Sequence, residues 1–211
     1  MPTAASNGFQ ILPGYLDRPA QEALVEDIRA IVKVAPFYQP TMPRSGKPMS
    51  VKMTNAGQLG WMTDKDGGYR YQAVHPVTGK PWPAIPRSIM AIWEAVSFYP
   101  HSPEACLINH YHSLTSKMGL HVDADEDAKD APVVSISLGA SALFRIGGSS
   151  RKDATRSVRL SSGDVVVLGG ASRHFYHGID RLYPETSTLL PSPQRLNITL
   201  RRVSAPVSPA S

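Results

Sequence analysis

A histidine and a carboxylate stand two positions apart in His121-Val122-Asp123. If this segment is a strand, the side chains at positions i and i+2 point to the same face, so both could contact one metal ion. A third ligand is available in His174 or His177, further along the chain. Two imidazoles and one carboxylate on one side of a metal leave coordination positions open on the other side. This ligand set is typical of non-haem Fe(II) sites that activate oxygen, so the pattern predicts oxidative chemistry.

Spacing alone leaves this metal site undecided. His110 and His112 have the same i, i+2 relationship and form a competing ligand pair. The acidic positions that follow Asp123 are also typical of a solvated loop, and they are Asp125, Glu126, Asp127 and Asp130. An exposed polar loop without a metal is therefore the alternative interpretation.

A second pattern lies near the C-terminus, where residues 195–201 alternate polar and apolar side chains without a break. On a strand, one face would carry Arg195, Asn197, Thr199 and Arg201. Two guanidiniums on one face suit a small dicarboxylate, because arginine forms planar bidentate pairs with carboxylates. The alternative is an edge strand whose polar face lies in water.

The elements that must position these residues are two helices and a series of strands. Helical spacing predicts a first helix over 17–34, with Asp17 as its N-cap and Pro19 in its first turn, and a second helix over 88–97. Eight short strands are predicted after residue 105, at 106–112, 119–122, 132–138, 142–146, 157–160, 164–168, 174–178 and 195–203. This order predicts a mostly β protein, a double-sheet jelly roll whose flanking helices buttress one face.

Between the two helices, the segment 39–86 is rich in Pro, Gly, Met and Tyr. It contains possible strands at 49–54 and 69–74 and a turn at 66–68. A stretch this long and irregular inside a small domain is typical of a functional loop. The Ala-, Pro- and Ser-rich end of the chain, 204–211, is expected to be a flexible tail.

Composition limits the class of protein. With 211 residues and 42% apolar side chains, one folded domain is expected. The single cysteine, Cys106, excludes a disulfide scaffold and a thiolate zinc site and indicates a reducing compartment. No signal sequence or membrane span is recognisable, so a cytoplasmic monomer is expected. The net charge of +5 permits a polyanionic partner.

Taken together, the motifs resemble the AlkB family of Fe(II)- and 2-oxoglutarate-dependent dioxygenases. The resemblance rests on His121-Val-Asp123, on a later His177, and on the Arg-x-Asn-x-Thr-x-Arg pattern of 195–201. Bacterial members are also similar at 53–61, 80–83, 105–111, 134–139, 163–167 and 175–178.

The similarity covers roughly residues 10–203 and implies a single catalytic domain, 1–211. Within that domain it implies a double-stranded β-helix core at 105–203, an N-terminal helical buttress and a nucleotide-recognition lid at 40–85.

The resemblance also assigns residues. It implies that His121, Asp123 and His177 bind the iron, which leaves His174 outside the ligand set. It places 2-oxoglutarate against Asn109, Tyr111, Arg195, Asn197 and Arg201, with Arg195 on the distal carboxylate and Arg201 near Asp123. If Asn109 and Tyr111 face the cavity, strand alternation turns His110 and His112 away from it.

The implied activity is oxidative demethylation of N-methylated bases, of the 1-methyladenine and 3-methylcytosine type, in single-stranded DNA, with RNA as a second substrate. The cofactors are Fe(II), 2-oxoglutarate and O2, and the products include formaldehyde and succinate. The resemblance implies base or phosphate contacts by Trp61, Tyr69, Asp125 and Arg151. One alternative is a related oxygenase acting on protein or a small molecule, and another is a binding module with a degenerate metal site.

Overall fold

The computed structural model describes residues 8–206 and contains twelve strands, two α-helices and a 3-10 helix in that range. In chain order the elements are β1 Phe9–Leu12, α1 Arg18–Val34, β2 Lys52–Gly57, β3 Gly60–Asp64, β4 Gly68–Gln72, α2 Arg87–Val96, β5 Ala105–Tyr111, β6 Met118–His121, β7 Val133–Gly139, β8 Ser141–Ile146, β9 Arg156–Leu160, β10 Val165–Leu168, the 3-10 helix Gly170–His174, β11 His177–Tyr183 and β12 Arg195–Arg201. None of the described helices is long and apolar enough to cross a membrane.

Two antiparallel sheets form the jelly roll that the sequence predicts. The larger sheet has the strand order β1-β10-β7-β12-β5-β2, and the smaller has the order β6-β11-β8-β9. One apolar cluster, which includes Tyr111, Phe144 and Leu168, draws its side chains from strands of both sheets. A second cluster joins the larger sheet to the helices, with Ile108 and Ile198 from the sheet and Trp93 from α2. The mostly β fold with flanking helices is confirmed.

The helices form where the sequence predicts them. The side chain of Asp17 accepts a hydrogen bond of 2.9 Å from the backbone N–H of Ala20, and Pro19 lies in the first turn. The first helix ends at Val34, shortly before Pro36. The apolar face predicted for the second helix is buried, and its members are Ile89, Ile92, Trp93 and Val96. Both helices therefore cover the outer side of the larger sheet.

The strand predicted at 174–178 is displaced, because only its last two residues belong to β11, which runs to Tyr183. Residues 170–174 instead form the 3-10 helix, and β11 begins only at His177. Gly170 adopts a positive φ of 52°, and the Ser172 hydroxyl donates to the Gly169 carbonyl at 2.8 Å, so the chain turns tightly before the strand starts. His174 consequently lies on the helical turn and not on a strand.

The segment between the helices is more regular than its composition predicts. It contributes β2 to the larger sheet, displaced from the predicted 49–54, and the β3–β4 hairpin around the predicted turn at 66–68. Buried His75 fixes the base of this segment. Its Nδ1 accepts hydrogen bonds from the N–H groups of Val77 and Thr78, so its Nε2 is the donor to the Pro36 carbonyl at 2.8 Å.

Most of the predicted tail, 204–211, lies outside the described residues. At its start, Ser204 donates its N–H to the Glu104 carboxylate at 2.6 Å.

Candidate active site

His121, Asp123 and His177 come together at one end of the smaller sheet. His121 ends β6, His177 begins β11, and the two residues are directly opposite each other in the strand pairing. Oxygens of the Asp123 carboxylate lie 3.7 Å from His121 Nε2 and 3.8 Å from His177 Nε2. One ligand atom from each residue falls within 4.8 Å of the others, a separation suited to holding a single ion.

The hydrogen bonds of the two imidazoles leave both Nε2 atoms available to a metal. His121 Nδ1 lies 2.9 Å from the Gly119 carbonyl, and His177 Nδ1 lies 3.0 Å from the Phe175 carbonyl. A carbonyl can only accept, so each Nδ1 carries the proton and each Nε2 presents a lone pair. Backbone acceptors of this kind orient metal-binding histidines.

The charge states of this cluster also suit a metal. Burial lowers the pKa of His177 to about 4, with the neighbouring His121 adding to the effect, so the ring is neutral near pH 7. Burial alone would raise the pKa of Asp123, but Arg201 and the two imidazoles outweigh it and hold that pKa well below its usual range. Arg201 contacts one carboxylate oxygen at 2.9 Å, whereas Asp123 Oδ2 has no hydrogen-bond partner among the described residues.

A buried ionic network lies behind Asp123, and sequence reasoning missed it. Glu126 and Arg173 form an ion pair of 2.8 Å and are 1% and 2% exposed. Arg173 also donates to the backbone carbonyl of Asp123 at 2.6 Å, and Arg201 lies 3.4 Å from Glu126. The Tyr71 hydroxyl of β4 donates to Glu126, so the network joins the segment between the helices to the metal cluster.

The polar face of β12 is largely buried, since Arg195, Thr199 and Arg201 are at most 6% exposed, and the strand lies in the interior of the larger sheet between β5 and β7. The edge-strand alternative is therefore wrong. Arg195 is paired with Tyr111, and Asn197 with Asn109. The Asn109 and Asn197 side chains are 3.5 Å apart, so the predicted cosubstrate residues of both strands share one face.

The competing histidine pair is not assembled as a metal site. His110 contacts Gln194 at 2.9 Å, and its ring lies 4.9 Å from that of Phe37, which packs against the helical cluster. Burial lowers the pKa of His110. Strand alternation therefore turns it to the face opposite Asn109 and Tyr111, as expected.

Arg195 is a fully buried cation that forms no ion pair with a carboxylate of residues 8–206. It is 0% exposed and donates from Nη2 to the Ser137 hydroxyl at 2.8 Å, but its Nε and Nη1 have no hydrogen-bond partner among the described residues. Burial lowers the pKa of Arg195 to about 10, although nearby Tyr111 and Asp164 oppose this change. An unpaired buried guanidinium fits the carboxylate of a bound ligand, which would supply the missing acceptors.

Trp61 contacts both Tyr69 and Asp125, and Asp125 follows Asp123 of the metal cluster by two positions in the chain. The Trp61 indole donates from Nε1 to Asp125 at 2.8 Å, and its ring stacks on Tyr69 with centroids 5.7 Å apart. The buried Asn55 side chain bonds both backbone groups of Trp61 at 3.1 Å, which fixes the residue in place. Arg151 lies apart on the exposed β8–β9 turn and makes no hydrogen bond or ion pair within residues 8–206.

Comparisons with known proteins agree with this geometry. Residues 8–201 match the model of the 2OG-Fe(II) oxygenase superfamily. An alpha-ketoglutarate-dependent dioxygenase AlkB homolog of Caulobacter vibrioides is 48% identical over 201 residues, which cover 95% of this chain and 90% of that protein. The chain belongs to the AlkB family.

Two further AlkB relatives extend the comparison. The solved structure of OsALKBH1 has a TM-score of 0.80 at 30% identity and covers 95% of this chain and 100% of that one. A DNA N(6)-methyladenine demethylase of Arabidopsis thaliana, ALKBH1C, is 31% identical over 230 residues, 95% of this chain and 49% of that protein. As an AlkB-family member the protein is an Fe(II)-dependent dioxygenase that uses 2-oxoglutarate and O2. The free Asp123 oxygen and the unpaired Arg195 fit that iron and that cosubstrate.

Proposed function

We propose that this dioxygenase repairs alkylated nucleic acid by removing methyl groups from base nitrogens, in single-stranded DNA and secondarily in RNA. The observation that carries the proposal is the hydrogen bond between Trp61 and Asp125, two positions along the chain from Asp123 of the metal cluster. A flat ring and a carboxylate at that place suit a cationic methylated base. The demethylase activity named for the Arabidopsis relative supports a nucleic-acid substrate.

Three side chains are proposed to hold the iron: His121, Asp123 and His177. The chemistry supplied by bound Fe(II) is the activation of O2, coupled to decarboxylation of 2-oxoglutarate to succinate and hydroxylation of the N-methyl carbon. The hydroxymethyl group then leaves the base nitrogen as formaldehyde, which restores the unmodified base. Arg195 binds the distal carboxylate of 2-oxoglutarate, and Arg201 keeps Asp123 ionised as a ligand.

The residues around 2-oxoglutarate set its orientation. Asn109, Tyr111 and Asn197 lie on the same face as Arg195 and supply neutral polar contacts. Burial raises the pKa of Tyr111 to about 12, so its hydroxyl stays protonated and can donate to a carboxylate. The charged Arg195 and the neutral polar side chains beside it would thus together hold 2-oxoglutarate.

A flipped base is held between flat side chains, here Trp61 and His121, with Tyr69 extending the aromatic surface. Methylation at N1 of adenine or N3 of cytosine makes the base cationic, so a nearby carboxylate favours the damaged base over the normal one. Asp125 supplies that charge, and Arg151 contacts a phosphate. Residues 40–85 serve as the lid of a single catalytic domain whose jelly-roll core is 105–203.

The Asp125 carboxylate is expected to contribute to substrate selection. Replacing Asp125 by Asn keeps the shape and an acceptor for Trp61 but removes the charge. We expect kcat/KM for 1-methyladenine to fall about 10- to 100-fold, the value of one hydrogen bond to a charged group. Steady-state kinetics with a methylated oligonucleotide measure this. Exposed Asp130→Asn is the matched control, and an Asp125→Asn enzyme with wild-type kcat/KM would contradict the assignment.

Arg195→Lys is expected to weaken 2-oxoglutarate binding selectively. Lysine keeps the charge but loses the planar bidentate geometry. We expect the KM for 2-oxoglutarate to rise about 10- to 150-fold, because the lysine loses one of the two charge-assisted hydrogen bonds to the carboxylate, and such a bond is worth about 1.5–3 kcal/mol. Titration of 2-oxoglutarate at saturating methylated oligonucleotide measures the change. An unchanged KM would remove Arg195 from the cosubstrate site.

The proposed substrate class is tested by asking which molecules stimulate succinate formation. The wild-type protein is incubated with Fe(II), 2-oxoglutarate and either a 1-methyladenine DNA oligonucleotide, its RNA counterpart, its unmethylated form or a mixture of peptides. We expect the methylated oligonucleotides alone to stimulate turnover. Stimulation by peptides alone would instead favour the alternative, an oxygenase acting on protein.

The proposal also covers the oligomeric state of the protein and its compartment in the cell. We propose that it acts as a monomer in the cytoplasm. The single cysteine, Cys106, is buried, which supports a reducing compartment.

A further inference from the structure

The outer face of the smaller sheet carries charge that the proposed site does not use. On β8, Phe144 and Ile146 are buried in the cluster between the sheets, so alternation turns Leu143 and Arg145 outward. Leu143 is opposite Arg159 on β9 and opposite Arg181 on β11. Residues opposite each other on paired strands project from the same face. Three neighbouring strands therefore present an arginine each, and we call Arg145, Arg159 and Arg181 the outer arginine cluster.

These arginines are almost free of acidic partners. Arg145 donates to the neutral hydroxyl of Thr155 at 2.9 Å, and the Arg159 guanidinium lies 4.5 Å from the centre of the Tyr183 ring. Neither has a carboxylate partner within residues 8–206. Arg181 has Asp180 at 3.5 Å, an exposed pair that contributes little.

A groove runs beside the outer arginine cluster. Its volume is about 170 Å³, and its lining includes Arg145, Lys117, Asp180 and the backbone of Gly119 and Gly178. A side chain added at Gly119 would meet open space, so the groove stays accessible on that side. The outer arginine cluster and Lys117 thus supply four cations, and Asp180 is the carboxylate that lines the groove with them.

The outer arginine cluster is also close to the metal cluster in the fold. Ile146, the neighbour of Arg145, is directly opposite His177 in the β8–β11 pairing. Arg159 and Arg181 lie on the strands to either side of β8, about 4.8 Å from it, and are level with Leu143, two residues or about 6.6 Å along the strand direction from Arg145. They are therefore spread over a surface, which suits a chain of negative charges better than one small anion.

We propose that this face binds the phosphodiester backbone of nucleotides that flank the reacting base. The proposal rests on the proposed nucleic-acid substrate and deepens it, because it assigns a second contact surface outside the catalytic cavity. Backbone contacts of this type add affinity without reading sequence, and they weaken as salt rises.

The test replaces all three arginines of the cluster by Gln and compares two substrates, a 1-methyladenine trinucleotide and an oligonucleotide of about 20 nucleotides. We expect the KM for the long substrate to rise about 10- to 100-fold, while kcat and the trinucleotide kinetics stay unchanged. The slope of log K against log salt for the long oligonucleotide should fall by about 2, since each single-strand phosphate contact contributes about 0.7.

A matched control removes three exposed arginines from the helices, as Arg18→Gln, Arg29→Gln and Arg87→Gln. It loses the same charge, so an equal effect in both variants would mean that only net charge matters and would overturn the proposal. The proposal would also be overturned if the triple variant of the outer arginine cluster bound the long oligonucleotide as the wild type does. It would likewise be overturned if that variant lost binding to a polyglutamate peptide but kept binding to the oligonucleotide. Binding of an unmethylated oligonucleotide, measured by fluorescence anisotropy, decides the question even if demethylation is not observed.

Discussion

Asp123→Asn is expected to lower both iron affinity and turnover by more than about 100-fold, because changes to groups that only support a metal ligand already cost about 10- to 100-fold. The substitution preserves volume but replaces the anionic ligand by a neutral amide. It also leaves the buried Arg201, now 2.9 Å from Asp123, without its closest anionic partner. Anaerobic addition of Fe(II) and 2-oxoglutarate, followed by the visible charge-transfer absorption of the complex, measures the loss directly.

Asp127→Asn is the matched control for this substitution. Asp127 lies four positions further along the same acidic stretch, but it is exposed. We expect this variant to bind Fe(II) and 2-oxoglutarate as the wild type does. Equal absorption and turnover in the Asp123→Asn and wild-type proteins would show that Asp123 is not an iron ligand.

Glu126→Ala is expected to lower the free energy of unfolding by about 3–5 kcal/mol, the usual cost of removing one partner from a buried ion pair. Arg173 would keep its two backbone acceptors but lose its carboxylate, and it is only 2% exposed. For a domain of this size, about 10 °C in Tm is the corresponding shift. Thermal and urea unfolding of the iron-free protein measure this loss in the free energy of unfolding.

Two further variants show whether this loss comes from the unpaired charge. Replacing Glu126 by Leu together with Arg173 by Met should recover much of the stability, since apolar pairs often replace buried ion pairs without loss. Glu22→Ala breaks the exposed Arg18–Glu22 pair and should cost no more than about 1 kcal/mol. A Glu126→Ala protein as stable as the Glu22→Ala protein would contradict this account.

The sequence predicts one part of the site well because strand alternation is regular. The polar row that ends in Arg195 and Arg201 follows directly from period-two spacing. The outward turn of His110 follows from the same spacing only after the family resemblance places Asn109 and Tyr111 in the cavity. The interior position of β12 does not follow, because strand order depends on long-range pairing that the local pattern does not contain. The sequence pattern therefore does not predict that the Arg195 guanidinium is buried, and the folded structure is needed to show it.

The buried network behind Asp123 could not be predicted for the same reason. Glu126 stands in an acidic stretch that is typical of a solvated loop, and Arg173 lies in a 3-10 helix where a strand was predicted to begin one residue later. Their pairing joins residues 47 positions apart. No spacing rule connects them, and only the fold identifies which acid of that stretch is buried.

The choice between His174 and His177 also depended on tertiary structure. The residues alone leave both open, and the resemblance selects His177. The turn at Gly169 and Gly170 delays the strand until His177, which then pairs directly with His121. A difference of three positions thus decides which imidazole joins the cluster.

The most direct measurement of the proposed reaction is its product balance. A single-stranded oligonucleotide with one 1-methyladenine is incubated with the protein, Fe(II), 2-oxoglutarate and O2, and three products are quantified from the same sample. We expect equal amounts of succinate, formaldehyde and restored adenine. Succinate formed without formaldehyde and without restored adenine would contradict it.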